Sequence, residues 1–226
     1  FYSPATLNGT ARLLTTNSSS AVNLLTSTND SFFEENNWVH AIITVNNSTA
    51  KIYKNGVLHN TETDFDSITT TVTRTYHNLG MGFGGAEFFV GTMAYLRFWS
   101  GTVLDATQVS TLYDNRPSIV PDHEFMFHGA TALDGLADTY DSSITVTNYG
   151  ATLSANGAVF DGVDDYLSLT PWGIGPVFSF EVYFKWDSFP STDSPRIFDF
   201  YTYQAPGTAI TDNIIFYRQS TLNGTA

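Results

Sequence analysis

Apolar and polar residues alternate along much of this chain, in short runs cut by glycine, proline and asparagine. The clearest run is Val177–Trp186. Phe178, Phe180, Val182, Phe184 and Trp186 fall on one face, and Ser179, Glu181, Tyr183 and Lys185 on the other. A period of two is the mark of a β-strand. In Trp38–Asn46 both faces carry apolar residues, which predicts a strand well inside a sheet. Asn55-Gly56, between "KIYK" and "VLH", predicts a tight hairpin, because a type I′ turn needs positive φ at both positions. Residues 11–26 read as two short strands, and the polar, Thr-rich stretch 60–74 as an exposed loop or edge strand. "YHNLGMGFGG" predicts a strand that bends at its end, and "FFVGTMAYLRFWSG" a central strand.

Only one segment has helical character, "LDATQVSTLYDN". Asp105 is placed as N-cap with Gln108 three residues on, a capping-box pattern, and Leu104 and Val109 are spaced for a hydrophobic staple. "NRPSIVPDH" then breaks the pattern with Pro117 and Pro121 and marks a boundary. Beyond it, Phe125 and Phe127 share a face, turns are expected at Asn156-Gly157 and Asp161-Gly162, and "RIFDFYTY" and "NIIFYR" complete the strands. Many short strands and one short helix predict an all-β fold, a two-sheet antiparallel sandwich.

The ends of the chain resemble each other. "FYSPATLNGTA" opens it and "FYRQSTLNGTA" closes it, with eight of eleven positions identical and residues 6–11 repeated as 221–226. This implies one period of 215 residues from a longer array, cut in the middle of a unit.

Composition narrows the function. With 22 acidic against 9 basic residues and a net charge of −13, the chain lacks the cationic face that a nucleic acid needs. No apolar run is long enough to cross a bilayer, so no membrane insertion is expected. The absence of cysteine removes disulfides, thiolate metal sites and a cysteine nucleophile. No signal peptide is visible at Phe1, so a secreted protein would be represented by a mature or internal piece. N-glycosylation sequons stand at Asn8, Asn17, Asn29, Asn46, Asn47 and Asn223.

Candidate chemistry is sparse. Retaining glycoside hydrolysis needs two carboxyls about 5–5.5 Å apart, and Glu181 has no acidic neighbour on its strand face. Lys185 shares that face, either as a satisfied ion pair with Glu181 or as part of a covalent Lys–Asn crosslink site. Asp161, Asp164 and Asp165 gather hard oxygens in one turn and are candidate calcium ligands, or simply caps of that turn. Asp134, Asp138 and Asp141 form a weaker cluster. Trp99 and Trp172 lie beside Gly/Pro turns, where an aromatic ring could stack on a sugar or plug the core.

Three stretches together resemble the laminin G-like domains of the concanavalin A-like lectin/glucanase superfamily. They are "NNWVHAIITVNNSTAKIYKNGVL", "FFVGTMAYLRFWSGTVLDATQVSTLYDN" and "AVFDGVDDYLSL" followed by "FSFEVYFKW". The resemblance implies a jelly-roll sandwich, and calcium at the rim in some members. In that family the "FDG" pattern precedes the "WVH" pattern, whereas here it follows. Residues 1–120 then correspond to the back half of one sandwich, and 121–226 to the front half of the next, or of the same one permuted. The expected function is non-catalytic: an extracellular structural module, one repeat of a head-to-tail glycoprotein fibre or surface adhesin whose partners are neighbouring copies. The alternative is a calcium-assisted lectin domain that binds glycans.

Overall fold

The computed structural model describes residues 9–17, 22–28, 31–65, 68–115, 119–189, 194–202 and 212–219. In chain order the elements of the first half are β1 (Thr10–Thr16), β2 (Val22–Thr26), β3 (Trp38–Asn46), β4 (Thr49–Lys54), β5 (Val57–Glu62), β6 (Val72–Thr73), β7 (Tyr76–Leu79), β8 (Val90–Ser100) and α1 (Ala106–Asn115). Those of the second half are β9 (His123–Met126), β10 (Val146–Tyr149), β11 (Thr152–Ser154), β12 (Gly157–Asp161), β13 (Tyr166–Leu169), β14 (Gly173–Ile174), β15 (Val177–Trp186), β16 (Arg196–Tyr201) and β17 (Ile214–Gln219).

Two large antiparallel sheets face each other. The first runs β10-β13-β7-β16-β17-β1-β2, and the second β11-β12-β8-β15-β3-β4-β5 with β9 added beside β8. A small β14-β6 pair stands apart. The inner faces meet through the alternating residues that the sequence predicts. Phe180 of β15 packs 4.7 Å from Phe98 on its own sheet and 4.8 Å from Phe198 on the opposite one. The pairing of β15 with β8 slips at Ala94, so Met93 and Leu96 both point inward although three positions apart.

The two halves of the chain interleave. β15 lies between β8 and β3, and β16 and β17 lie between β7 and β1. Strands from both sides of Pro121 therefore share both large sheets.

Local expectations hold at the hairpin and the helix. Asn55 and Gly56 have φ of 49° and 80°. Gln108 N donates to Asp105 Oδ1 and Asp105 N donates to Gln108 Oε1, both at 2.9 Å. Helix α1 lies on the outer face of the second sheet, where Leu104, Val109 and Leu112 pack with Ile42, Tyr53 and Trp99.

Glu181 differs from expectation. It is fully buried and engages neighbouring strands rather than Lys185. His40 Nε2 lies 2.7 Å from its Oε1, Tyr95 OH donates at 2.9 Å, and Arg97 Nη1 reaches its Oε2 at 3.2 Å. Cross-strand register sets Arg97 directly opposite Glu181, whereas Lys185 bonds Asp187 at 2.8 Å.

Candidate functional site

The outer face of the first sheet carries a groove built by alternation. Inward positions of β7, β13 and β16 are filled by His77, Leu79, Leu167, Leu169, Phe198 and Phe200. The residues between them must face out. Register then lines up Tyr149 with Tyr166, Ser168 with Asn78, Asn78 with Asp199, and Tyr76 with Tyr201. Tyr76 and Tyr201 stack at 5.0 Å, and Tyr149 and Tyr166 at 4.3 Å with planes 5° apart. The two pairs flank a cavity of about 300 Å³ whose floor holds Asn78 and Ser168.

A glycine-rich turn forms the wall. Gly84 and Gly85 have φ of 79° and 74°, and Glu87, at 58°, adopts the left-handed region that a residue with a side chain seldom enters. Gly82 N donates to Ala86 O at 2.8 Å and closes the turn. Arg196 Nη2 bonds Glu87 Oε2 at 2.6 Å. Phe83 N donates to Asp199 Oδ2 at 3.0 Å, and the Phe83 ring meets Tyr201 edge-on at 5.2 Å. The turn is thereby pinned to the sheet at both of its ends.

The groove is amphipathic. Tyr76 and Tyr149 are 39 % and 46 % exposed at its rim. Beneath them, Asn78 Nδ2 donates to Tyr201 OH at 3.4 Å, while Asn78 Oδ1 is buried with no partner among the described residues. Asp199 Oδ1 is likewise buried without a partner. Burial pushes the Asp199 carboxyl up to about 7 against the pull of Arg196 and the Phe83 amide. Burial also raises the Tyr201 hydroxyl to about 12, helped by the Asp199 charge, so it remains a donor at neutral pH. Rings with a few convergent polar groups match the general make-up of a small-molecule or sugar subsite.

The sequence-derived candidates fare differently. Trp99 and Trp172 are both buried, at 2 % and 6 % exposure, and neither presents a face to a sugar. Trp99 lies beneath α1. Trp172 sits 4.4 Å from His77 and 4.6 Å from His123, between the sheets. Nearness to a turn in sequence did not mean nearness to solvent, because α1 and β9 cover these positions.

Asp161, Asp164 and Asp165 do come together, with one oxygen from each within 4.8 Å of the others. Part of their capacity already serves the turn. Asp161 Oδ1 accepts from Val163 N at 2.8 Å, and Asp165 Oδ2 from Asp161 N at 2.9 Å. Burial first, and then the charges of Asp161 and Asp164, raise the Asp165 carboxyl. The three hard oxygens fit calcium, which would draw its remaining ligands from water and backbone to reach 6–8. Asp165 also abuts Gly150, so the acidic turn borders the Tyr149/Tyr166 wall.

Asp134, Asp138 and Asp141 serve the backbone. Asp138 Oδ1 accepts from Tyr140 N, Asp141 Oδ1 from Ser143 N and Asp134 Oδ1 from Asn148 N. Of the sequons, Asn46 and Asn47 are exposed at the β3–β4 turn and Asn17 is partly buried after β1. Asn8, Asn29 and Asn223 lie outside the described residues.

The groove tyrosines were not singled out from the sequence. Their signal is faint: "YHNL" and "YLSL" each put a tyrosine and a small polar residue on one face, with His77 and Leu79 or Leu167 and Leu169 on the other.

Among known proteins, residues 4–110 match the laminin G-type family model of the concanavalin A-like lectin/glucanases superfamily. No curated protein matches the chain significantly. Residues beyond the match continue the same two sheets. The match over residues 4–110 and the two-sheet architecture agree on a jelly-roll sandwich, whose sheets the described residues beyond the match complete.

Proposed function

We propose that this protein is a non-catalytic carbohydrate-binding module whose ligand lies in the tyrosine groove. The observation that carries this reading is the pairing of Tyr76 with Tyr201 and of Tyr149 with Tyr166 on either side of a polar floor. Pyranose rings present apolar C–H faces that pack on aromatic rings, and hydroxyl rims that need hydrogen-bond partners. Tyrosine rings supply the first. Asn78 Oδ1, an acceptor without a partner among the described residues, supplies one of the second. The family match over residues 4–110 is compatible with a lectin-like or a structural role, and laminin G-like domains are typically extracellular. That is the location we infer, with sugar carried at Asn46 or Asn47.

Calcium bound by Asp161, Asp164 and Asp165 would tie down the turn that borders Tyr149 and Tyr166, which makes ligand binding calcium-assisted. The test is a glycan array probed with the protein in calcium and in chelator, beside the Tyr76→Ala and Asp164→Asn variants. Selective binding that falls roughly tenfold in Tyr76→Ala, about 1.4 kcal/mol, is the expected result. Asp164→Asn should match the chelated wild type. Binding that is unaltered in Tyr76→Ala would remove the groove from the account.

A second reading, a repeat of a head-to-tail assembly, is favoured by the repeated ends of the chain and by where β1 and β17 meet.

A further inference from the structure

β1 lies antiparallel on β17, with Thr10 opposite Gln219, Ala11 opposite Arg218 and so on to Thr15 opposite Ile214. β17 ends where β1 begins. On its other side β1 pairs only with β2, the edge of the sheet. The β1 position therefore joins a two-strand flank to the body of the first sheet through β17. Its occupant must meet three demands. It needs apolar side chains inward, as supplied by Ala11 and Leu13, both fully buried. It needs strand-forming sequence over six paired positions. It also needs glycine just before the first pair, because a Cβ at Gly9 would run into the side chain of Arg218.

The sequence writes the start of such an occupant twice. Gly224, Thr225 and Ala226 repeat Gly9, Thr10 and Ala11, including the glycine that Arg218 requires. The start of the strand that fills the β1 position is thus written at both ends of the chain.

We propose that the β1 position beside β17 is an exchange joint for a second copy of this chain. β1 of one copy pairs with β17 of another, and the sandwich is completed across the boundary between copies. Backbone pairing supplies the adhesion, and the Gly-Thr-Ala-x-Leu pattern supplies the selectivity. Reciprocal exchange gives a closed dimer, and successive exchange an open chain. The proposal stands apart from the groove, which faces solvent elsewhere on the sheet.

The chain contains no cysteine, so engineered thiols report without background. Thr10→Cys and Gln219→Cys single variants are mixed, unfolded together and refolded under mild oxidation over a concentration series. Directly opposed strand residues lie within disulfide reach. Exchange predicts a covalent heterodimer whose ratio to monomer rises about tenfold per tenfold concentration. A Thr10→Cys and Ile214→Cys mixture, out of register, should give none. Absence of the heterodimer at every concentration, while the Thr10→Cys/Gln219→Cys double variant closes its bond as a monomer, overturns the proposal. If either variant fails to fold, light scattering of the unaltered protein refolded at the same concentrations decides. Dimers or longer species that grow with concentration support exchange, and monomer throughout overturns it.

Discussion

Beneath the groove, Asp199 is a carboxyl group sealed from water, and its ionisation opposes folding. Its folded-state value, about 7, lies above the 3.8 of the free group. Between these values the folded protein holds a proton that the unfolded chain releases, so stability falls as pH rises from 3.8 toward 7 and is flat beyond. The Asp199→Asn variant loses this dependence. Its Tm measured against wild type should climb steadily over that window, and a constant difference would contradict the assignment. Glu181 acts in the opposite sense. Burial raises its carboxyl, but the His40 hydrogen bond and charge, with Arg97 and Tyr95, outweigh burial and leave it below 4.5. Its contribution is present above 4.5 and is lost as pH falls through the lowered value. Neither residue was legible in this role. Sequence spacing suggested Lys185 for Glu181, because strand neighbours at i and i+4 can be read along a chain. Partners across strands depend on register, which the sequence does not print.

Elements defined by local chemistry were legible. The capping box of α1 forms between residues three apart, and the Asn55-Gly56 hairpin between adjacent ones. Asp105→Ala removes the acceptor for Gln108 N and should cost about 1 kcal/mol. Denaturant midpoints would show it as a lower midpoint with an unchanged slope, and an unshifted midpoint would mean that packing on Trp99 alone holds the helix. The alternating face of β15 was equally plain, since Phe178 to Trp186 spell it out within ten residues. The groove was not legible. Tyr76, Tyr149, Tyr166 and Tyr201 come from four strands whose order in the sheet, β10-β13-β7-β16, bears no relation to their order in the chain. Trp99 and Trp172 drew the eye instead because tryptophan near a turn is conspicuous in a sequence. The covers that bury them, α1 above one and the facing sheet against the other, are tertiary.

At the scale of the molecule, the order of the halves matters less than their closure. β15 forms the centre of the second sheet between two strands of the other half, and β16 and β17 do the same in the first. Each half alone would leave open edges and half a core. Fragments 1–117 and 118–226 are therefore expected to lack a cooperative thermal transition when separate and to recover β-sheet circular dichroism when mixed; a cooperative transition in either fragment alone would contradict this. The same closure aligns the strands that bear the tyrosines, so the groove exists only when both halves are present. Its occupancy can be read directly. With tyrosine rings labelled with carbon-13, the protein is titrated with an oligosaccharide selected on the array and followed by NMR. The account predicts saturable shifts at Tyr76, Tyr149, Tyr166 and Tyr201. Saturable binding that leaves these four rings unmoved would contradict it.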